Sequence, residues 1–304
     1  MNQTTTRPLP PPSAPPPQRK PAKDTDAAKL ENAPGMASHF KIETGVVKRP
    51  QRIMLYGPGG VGKTTLASLM PGKTLFLDLD KGSNDISVSR ISGIESLDDL
   101  RSIIQSDTLT QGYDTLVLDT VTRAEEFCLD WTIKNIPHEK GFPIKRLEDY
   151  GFGKGYRHVY DTFLLLKNDL ERAISRRGQN VVLICHDTIN TVPNPAGEDF
   201  LRYEPALQHP KSGQNSIRDL VYQWSTHVFY LGFDVVAKDG KGRGGGTRTI
   251  WTTERPTHKA KMRGRIQSGA YESLPWNDPT EDGKTLWDLV FADEAQQEVT
   301  DATA

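Results

Sequence analysis

Short continuous apolar runs alternate along this chain with longer stretches in which apolar residues recur every three or four positions. The runs are Ile53-Met54-Leu55-Tyr56, Thr74-Leu75-Phe76-Leu77-Asp78, Thr115-Leu116-Val117-Leu118-Asp119 and Asn180-Val181-Val182-Leu183-Ile184-Cys185-His186. Such runs lack the polar alternation of a strand wet on one face, so they predict strands buried on both faces. Between them come helical stretches. Ser96-Leu97-Asp98-Asp99 has capping spacing and opens a helix to about Ser106. A second helix is predicted from about Arg123 to Asn135, and a third from about Gly155 to Arg177. In the third, Tyr156, Tyr160, Phe163, Leu166, Leu170 and Ile174 lie near helical spacing and Gly178 supplies the stop. Strands alternating with helices predict the α/β class, a mostly parallel sheet flanked by helices.

The pattern changes after Asp187. Thr188 to Ala206, with Pro193, Asn194, Pro195 and Gly197 at its middle, predicts a long hairpin or mobile loop. His227-Val228-Phe229-Tyr230-Leu231 and Thr247-Arg248-Thr249-Ile250-Trp251-Thr252 predict C-terminal β additions, separated by a flexible Gly-rich stretch at 241–246. No internal repeat is visible.

The first apolar run leads into Gly57-Pro58-Gly59-Gly60-Val61-Gly62-Lys63-Thr64, followed by Thr65 and an apolar helix start that should stop at Pro71-Gly72. Strand, glycine-rich turn and helix in this order make a phosphate-binding loop. Glycines let successive backbone N–H groups aim at one point, and the helix brings its positive dipole end there. Lys63 is placed to reach the β and γ phosphates, and the Thr64 hydroxyl to ligate Mg²⁺. Gly57 to Thr65 are therefore the expected nucleotide-binding residues. Asp119, a carboxylate delivered by an apolar strand, is the expected partner of Thr64 at the metal; capping the next helix is its alternative role. Ligands of such sheets sit at the carboxyl ends of the strands, and Lys63, Asp80, Asp119 and His186 all fall there.

Composition alters this picture only at the edges. Lysine plus arginine number 38 against 39 acids, so any case for nucleic acid has to be local. Cys128 and Cys185 lie in apolar segments and fit a reducing compartment, and no run is long enough to span a bilayer. A cytoplasmic protein without a membrane partner is expected. Residues 1–38, with the Pro-rich run at 8–17, read as a disordered tail and a possible ligand for a protein partner. The ordered core is expected at 39–276. An acidic tail follows at 277–304, with Asp278, Glu281, Asp282 and Asp288 among its carboxylates.

The order of these features resembles that of phage-encoded RecA-like ATP-binding proteins, including Sak-type single-strand annealing proteins. The resemblance rests on the phosphate loop, Leu77-Asp78-Leu79-Asp80, the run ending at Asp119, the run ending at His186 and the late Lys259-Ala260-Lys261-Met262-Arg263. It implies a RecA-like P-loop core using ATP and Mg²⁺, a homo-oligomeric ring or filament, and single-stranded DNA as partner. Many AAA+ motors carry Glu directly after the metal carboxylate, whereas Thr120 stands here. The resemblance therefore implies that Asp80 positions the attacking water, that His186 senses the γ-phosphate, and that Lys259, Lys261 or Arg263 reaches a neighbour's nucleotide. It also implies DNA-facing loops at 188–206 and 208–215, with Arg202, Tyr203, His209 and Lys211. The alternatives are a motor or loader ATPase working on a protein partner or in replication, and a nucleotide-gated binding module with little turnover.

Overall fold

The computed structural model describes residues 47, 49–211, 213–238, 241–263 and 271–291. The Pro-rich run, the expected start of order near His39 and the end of the acidic tail lie outside the described residues.

The first strand, β1 (Arg52–Tyr56), runs into the phosphate loop and the short helix α1 (Lys63–Ser68). Then come β2 (Thr74–Asp78), β3 (Ser89–Ile91), α2 (Leu97–Gln105), α3 (Asp107–Thr110), β4 (Thr115–Asp119) and α4 (Val121–Asn135). A 3-10 turn (Leu147–Tyr150) precedes α5 (Lys154–Arg177) and β5 (Asn180–Cys185). The C-terminal part adds β6 (Asp187–Val192), β7 (Phe200–Pro205), α6 (Ile217–Trp224), β8 (His227–Lys238), β9 (Lys241–Trp251), β10 (Ser273–Pro275) and α7 (Pro279–Val290).

Eight strands form one sheet in the order β10-β9-β8-β1-β5-β4-β2-β3, and β6 pairs with β7 in a separate hairpin. From β8 to β3 every pairing is parallel; β9 and β10 add antiparallel strands at one edge. β5 is inserted between β1 and β4, so His186, just past its end, comes out beside the phosphate loop. Alternate residues of the central strands face opposite layers. Met54, Leu118 and Leu183 pack on α2, α4, α5 and α6, while Ile53, Leu55, Val117 and Val182 pack with α1, α7 and Trp276. Both faces are dry, which is why these strands read as unbroken apolar runs.

Two expectations need correction. The Gly-rich stretch 241–246 is part of β9, paired with β8 from Lys241 onward, so it extends the hairpin rather than separating two strands. Within the expected acidic tail, residues 279–290 form α7, docked on the core through Leu286 and Trp287. Asp278 caps this helix by accepting from the Thr280 and Glu281 N–H groups, Pro279 opens it, and Glu281 and Asp282 meet its positive end. The acids mark a helix start, and Trp287 Nε1 donates to the Leu66 carbonyl of α1 at 3.0 Å.

Candidate functional site

β1 ends at Tyr56, and Gly57 starts the loop with φ 153° and no room for a side chain, because a Cβ there would run into the Leu231 carbonyl of β8. Gly62, with φ 102°, is the N-cap of α1, and a Cβ on it would come 2.7 Å from Trp276 Nε1. The same Trp276 Nε1 donates to the Val61 carbonyl at 2.8 Å, and Arg248 Nη1 adds a second donor to that oxygen at 3.2 Å. The loop is thus held from behind by residues far along the chain. Nothing near the loop in sequence announces Trp276 or Arg248, and no sequence signal pointed to them.

Lys63 is buried, with Nζ donating to the carbonyls of Gly57 (2.7 Å) and Pro58 (2.8 Å). Burial lowers its pKa, while the charges of Asp187 and Asp119 oppose that shift. Thr64 Oγ1 donates to Asp119 Oδ2 at 2.8 Å. Burial pushes the Asp119 carboxyl up to about 6, against the pull of the Thr64 bond, and Asp78 and Asp80 add to the push. A hydroxyl and a hard carboxylate oxygen in contact suit Mg²⁺, which takes one or two carboxylates and completes its shell with phosphates and water. Among the described residues no cluster of three His, Cys, Asp or Glu side chains could hold a metal by itself. This donor set therefore fits an ion that arrives with a nucleotide.

A cavity of about 410 Å³ opens in front of the loop. Gly59, Gly60, Gly62, Lys63, Thr64 and Thr65 line it from the loop side, and Asp80, Asp119, Thr120 and His186 from the strand ends. Gly57 and Pro58 act through their carbonyls instead, and the Val61 side chain is buried in the core. The two carboxylates after β2 part company. Asp78 turns inward to accept from Gly82 and Ser83, whereas Asp80 accepts from Thr120 Oγ1 at 2.7 Å and stands 3.8 Å from His186 Nε2. Thr120 also caps α4 by accepting from the Arg123 N–H at 3.1 Å, so the capping role open to Asp119 belongs to its neighbour. The Asp119–Thr120 peptide is cis. His186 is fixed through its backbone, its N–H donating to Thr122 Oγ1 at 3.2 Å.

The late basic residues are not brought to this cavity. Lys261 pairs with Val228 of β8, level with Met54 in mid-strand. Lys259 Nζ lies 3.6 Å from both Glu204 and Asp219, and Lys261 Nζ lies 4.5 Å from the centre of the Tyr222 ring. Burial, Arg263 and Arg52 lower the Lys261 pKa to about 8. Arg263 is exposed.

The hairpin β6–β7 leaves the sheet directly at His186. Its packed face is polar: Asn190 and Arg218 bond Glu204, and Arg202 pairs with Glu254. Ile189, Leu201 and Tyr203 stand exposed on the other face, with the Tyr203 ring stacked on Tyr230 at 5.3 Å. His209 is held by Ser216 and Asp219.

A nucleotide-sized cavity on a glycine loop, facing a strand-borne carboxylate bonded to the loop threonine, defines a P-loop NTPase site. Residues 49–264 match the AAA domain family AAA_24, and the chain belongs to that family. Among solved structures it is similar to the KaiC-like protein PH0186 from the archaeon Pyrococcus horikoshii OT3, at 14% identity and a TM-score of 0.40, over 76% of this chain and 88% of the other. No curated protein matches the chain. Among the described residues no helix is long and apolar enough to cross a membrane.

Proposed function

We propose that this chain is a Mg²⁺-dependent, RecA-like ATPase that works on single-stranded DNA as a homo-oligomer, in phage recombination or annealing. The observation that carries the reading is the path from the phosphate cavity to the hairpin. His186 lines the cavity, and Asp187, the next residue, begins a hairpin whose outward face carries Ile189, Leu201 and Tyr203. Apolar side chains turned outward beside an NTPase site, next to the part-exposed Tyr203 ring that rests on Tyr230, favour contact with unpaired bases, which is tolerant of sequence.

In this reading ATP lies on the loop, with Lys63 on its phosphates and Mg²⁺ held by Thr64 and Asp119. Asp80, oriented by Thr120, positions the attacking water, and His186 faces the γ-phosphate end. Because the Lys259 to Arg263 segment lies away from its own cavity, Lys261 or Arg263 completes the site of a neighbouring subunit. The exposed apolar face of the hairpin also favours a second reading, a motor or loader that acts on a protein partner.

One experiment separates them: ATP hydrolysis with and without single-stranded DNA, together with particle size by light scattering. Turnover that rises several-fold with DNA, in a particle larger than one chain, is the expected result. A monomer whose turnover ignores DNA would contradict it.

A further inference from the structure

A second cavity, of about 530 Å³, lies between α4, the 3-10 turn, the start of α5 and the segment 208–211. Leu129, Leu147, Val159 and Pro210 make its walls apolar, and Tyr156, partly exposed, adds an aromatic ring. Set into these walls is the carboxylate of Glu125. One of its oxygens accepts from the Gln208 N–H at 2.7 Å, and among the described residues the other has no partner. Burial pushes this carboxyl up to about 7, against the pull of the Gln208 N–H and the Arg218 charge, and N–H donors brought by a ligand would offset that burial by stabilising the ionised form. Gln208 adds to the imbalance. Its Nε2 donates to the carbonyls of Tyr156 (3.0 Å) and Asn215 (2.9 Å), which leaves its Oε1 without a partner among the described residues. At the rim stand His209, held by Ser216 and Asp219, and the exposed Lys211; among the described residues no ion pair occurs for Lys211.

The cavity therefore asks for three things together: a flat apolar body, an edge rich in N–H donors, and an anionic group outside. We propose that it binds a guanine base, with the N1–H and N2–H edge on Glu125, the ring against Tyr156 and a phosphate at Lys211. Guanine is the one common base whose pairing edge carries two adjacent N–H donors. Adenine and cytosine each set one amino group beside an acceptor, and thymine sets one N–H between two carbonyls, so each would bring a lone pair against the carboxylate. An arginine side chain satisfies Glu125 as well but brings no anion for Lys211. The same chemistry arrives either as a base in a single strand, which rests on the function proposed above, or as a free guanine nucleotide.

The test is fluorescence anisotropy on the full chain, with the phosphate cavity saturated by a non-hydrolysable ATP analogue. Labelled oligo-dT is compared with the same strand carrying one central dG, deoxyinosine or dA, and GMP, AMP and arginine methyl ester serve as competitors. The dG strand is expected to bind about tenfold tighter than oligo-dT, with deoxyinosine, which lacks the 2-amino group, losing most of that gain. Glu125→Gln, which keeps the shape, and Tyr156→Leu are each expected to remove the guanine preference, with analogue binding as the check on folding. Strands bound without guanine preference, or a preference untouched by Glu125→Gln, overturn the inference while leaving the single-strand function standing. Glu125-dependent binding of GMP with no strand bound keeps the guanine pocket and contradicts the single-strand function. Displacement by arginine methyl ester but not by GMP overturns the guanine assignment.

Discussion

Asp119, Thr120 and Asp80 form the smallest unit on which the account depends. Asp119 holds Thr64, Thr120 holds Asp80, and both carboxylates face the same cavity. Aspartate is one methylene shorter than glutamate, and the Thr120 bond fixes Asp80 where its reach has to suffice. Asp80→Asn is expected to keep Mg-ATP affinity within a few-fold while lowering turnover by at least ~100-fold, the usual worth of a positioned acid or base. Unchanged turnover in steady-state kinetics would remove Asp80 from the mechanism. Lys63 and Thr64 were legible in the sequence because a phosphate loop needs particular residue types within a few positions, and Asp119 because it ends an unbroken apolar strand. The residues that hold the loop from behind were not. Trp276 meets Val61 across 215 positions, and Arg248 meets it across 187, distances at which a local pattern carries no information.

At the scale of elements, legibility followed burial. β2 and β4 are as read, since a strand dry on both faces leaves one pattern in the sequence. α6 leaves a weaker trace: it spans only 8 residues, although Ser216-Ile217-Arg218-Asp219 carries the capping spacing seen at Ser96. α7 reads as tail because acids recur along the whole stretch from Asp278 to Asp301 and mask the short docking set Leu286, Trp287, Leu289 and Val290. Its role on α1 gives a direct test. Trp287→Ala removes a buried indole and its bond to Leu66 and is expected to cost about 3–5 kcal/mol in urea unfolding. It should also weaken nucleotide affinity, because α1 begins at Lys63. A variant with the wild-type unfolding midpoint would mean that the helix does not support the core.

For the molecule as a whole, the parallel sheet gathers the chemistry at the carboxyl ends of β1, β2, β4 and β5, which the sequence pattern already implied. What the pattern could not place was the late basic segment, because β9 and the turns after it decide where that segment lands. It lies along the start of β8, level with the middle of β1 and away from its own cavity. If Arg263 completes a neighbour's site, Arg263→Ala and Lys63→Ala subunits, each inactive alone, should regain part of the turnover when mixed, at junctions that pair an intact loop with an intact arginine. Mixtures as inactive as their parents would leave Arg263 without a catalytic role.

The measurement that tests the central claim most directly is equilibrium binding of a fluorescent ATP analogue to the wild-type chain and to Lys63→Ala, with Mg²⁺ and with EDTA. Wild-type binding that weakens in EDTA, through loss of the ion shared by Thr64 and Asp119, and is lost or at least ~100-fold weaker in Lys63→Ala is the predicted result. Equal affinity in the two proteins would contradict the assignment of the loop as the nucleotide site.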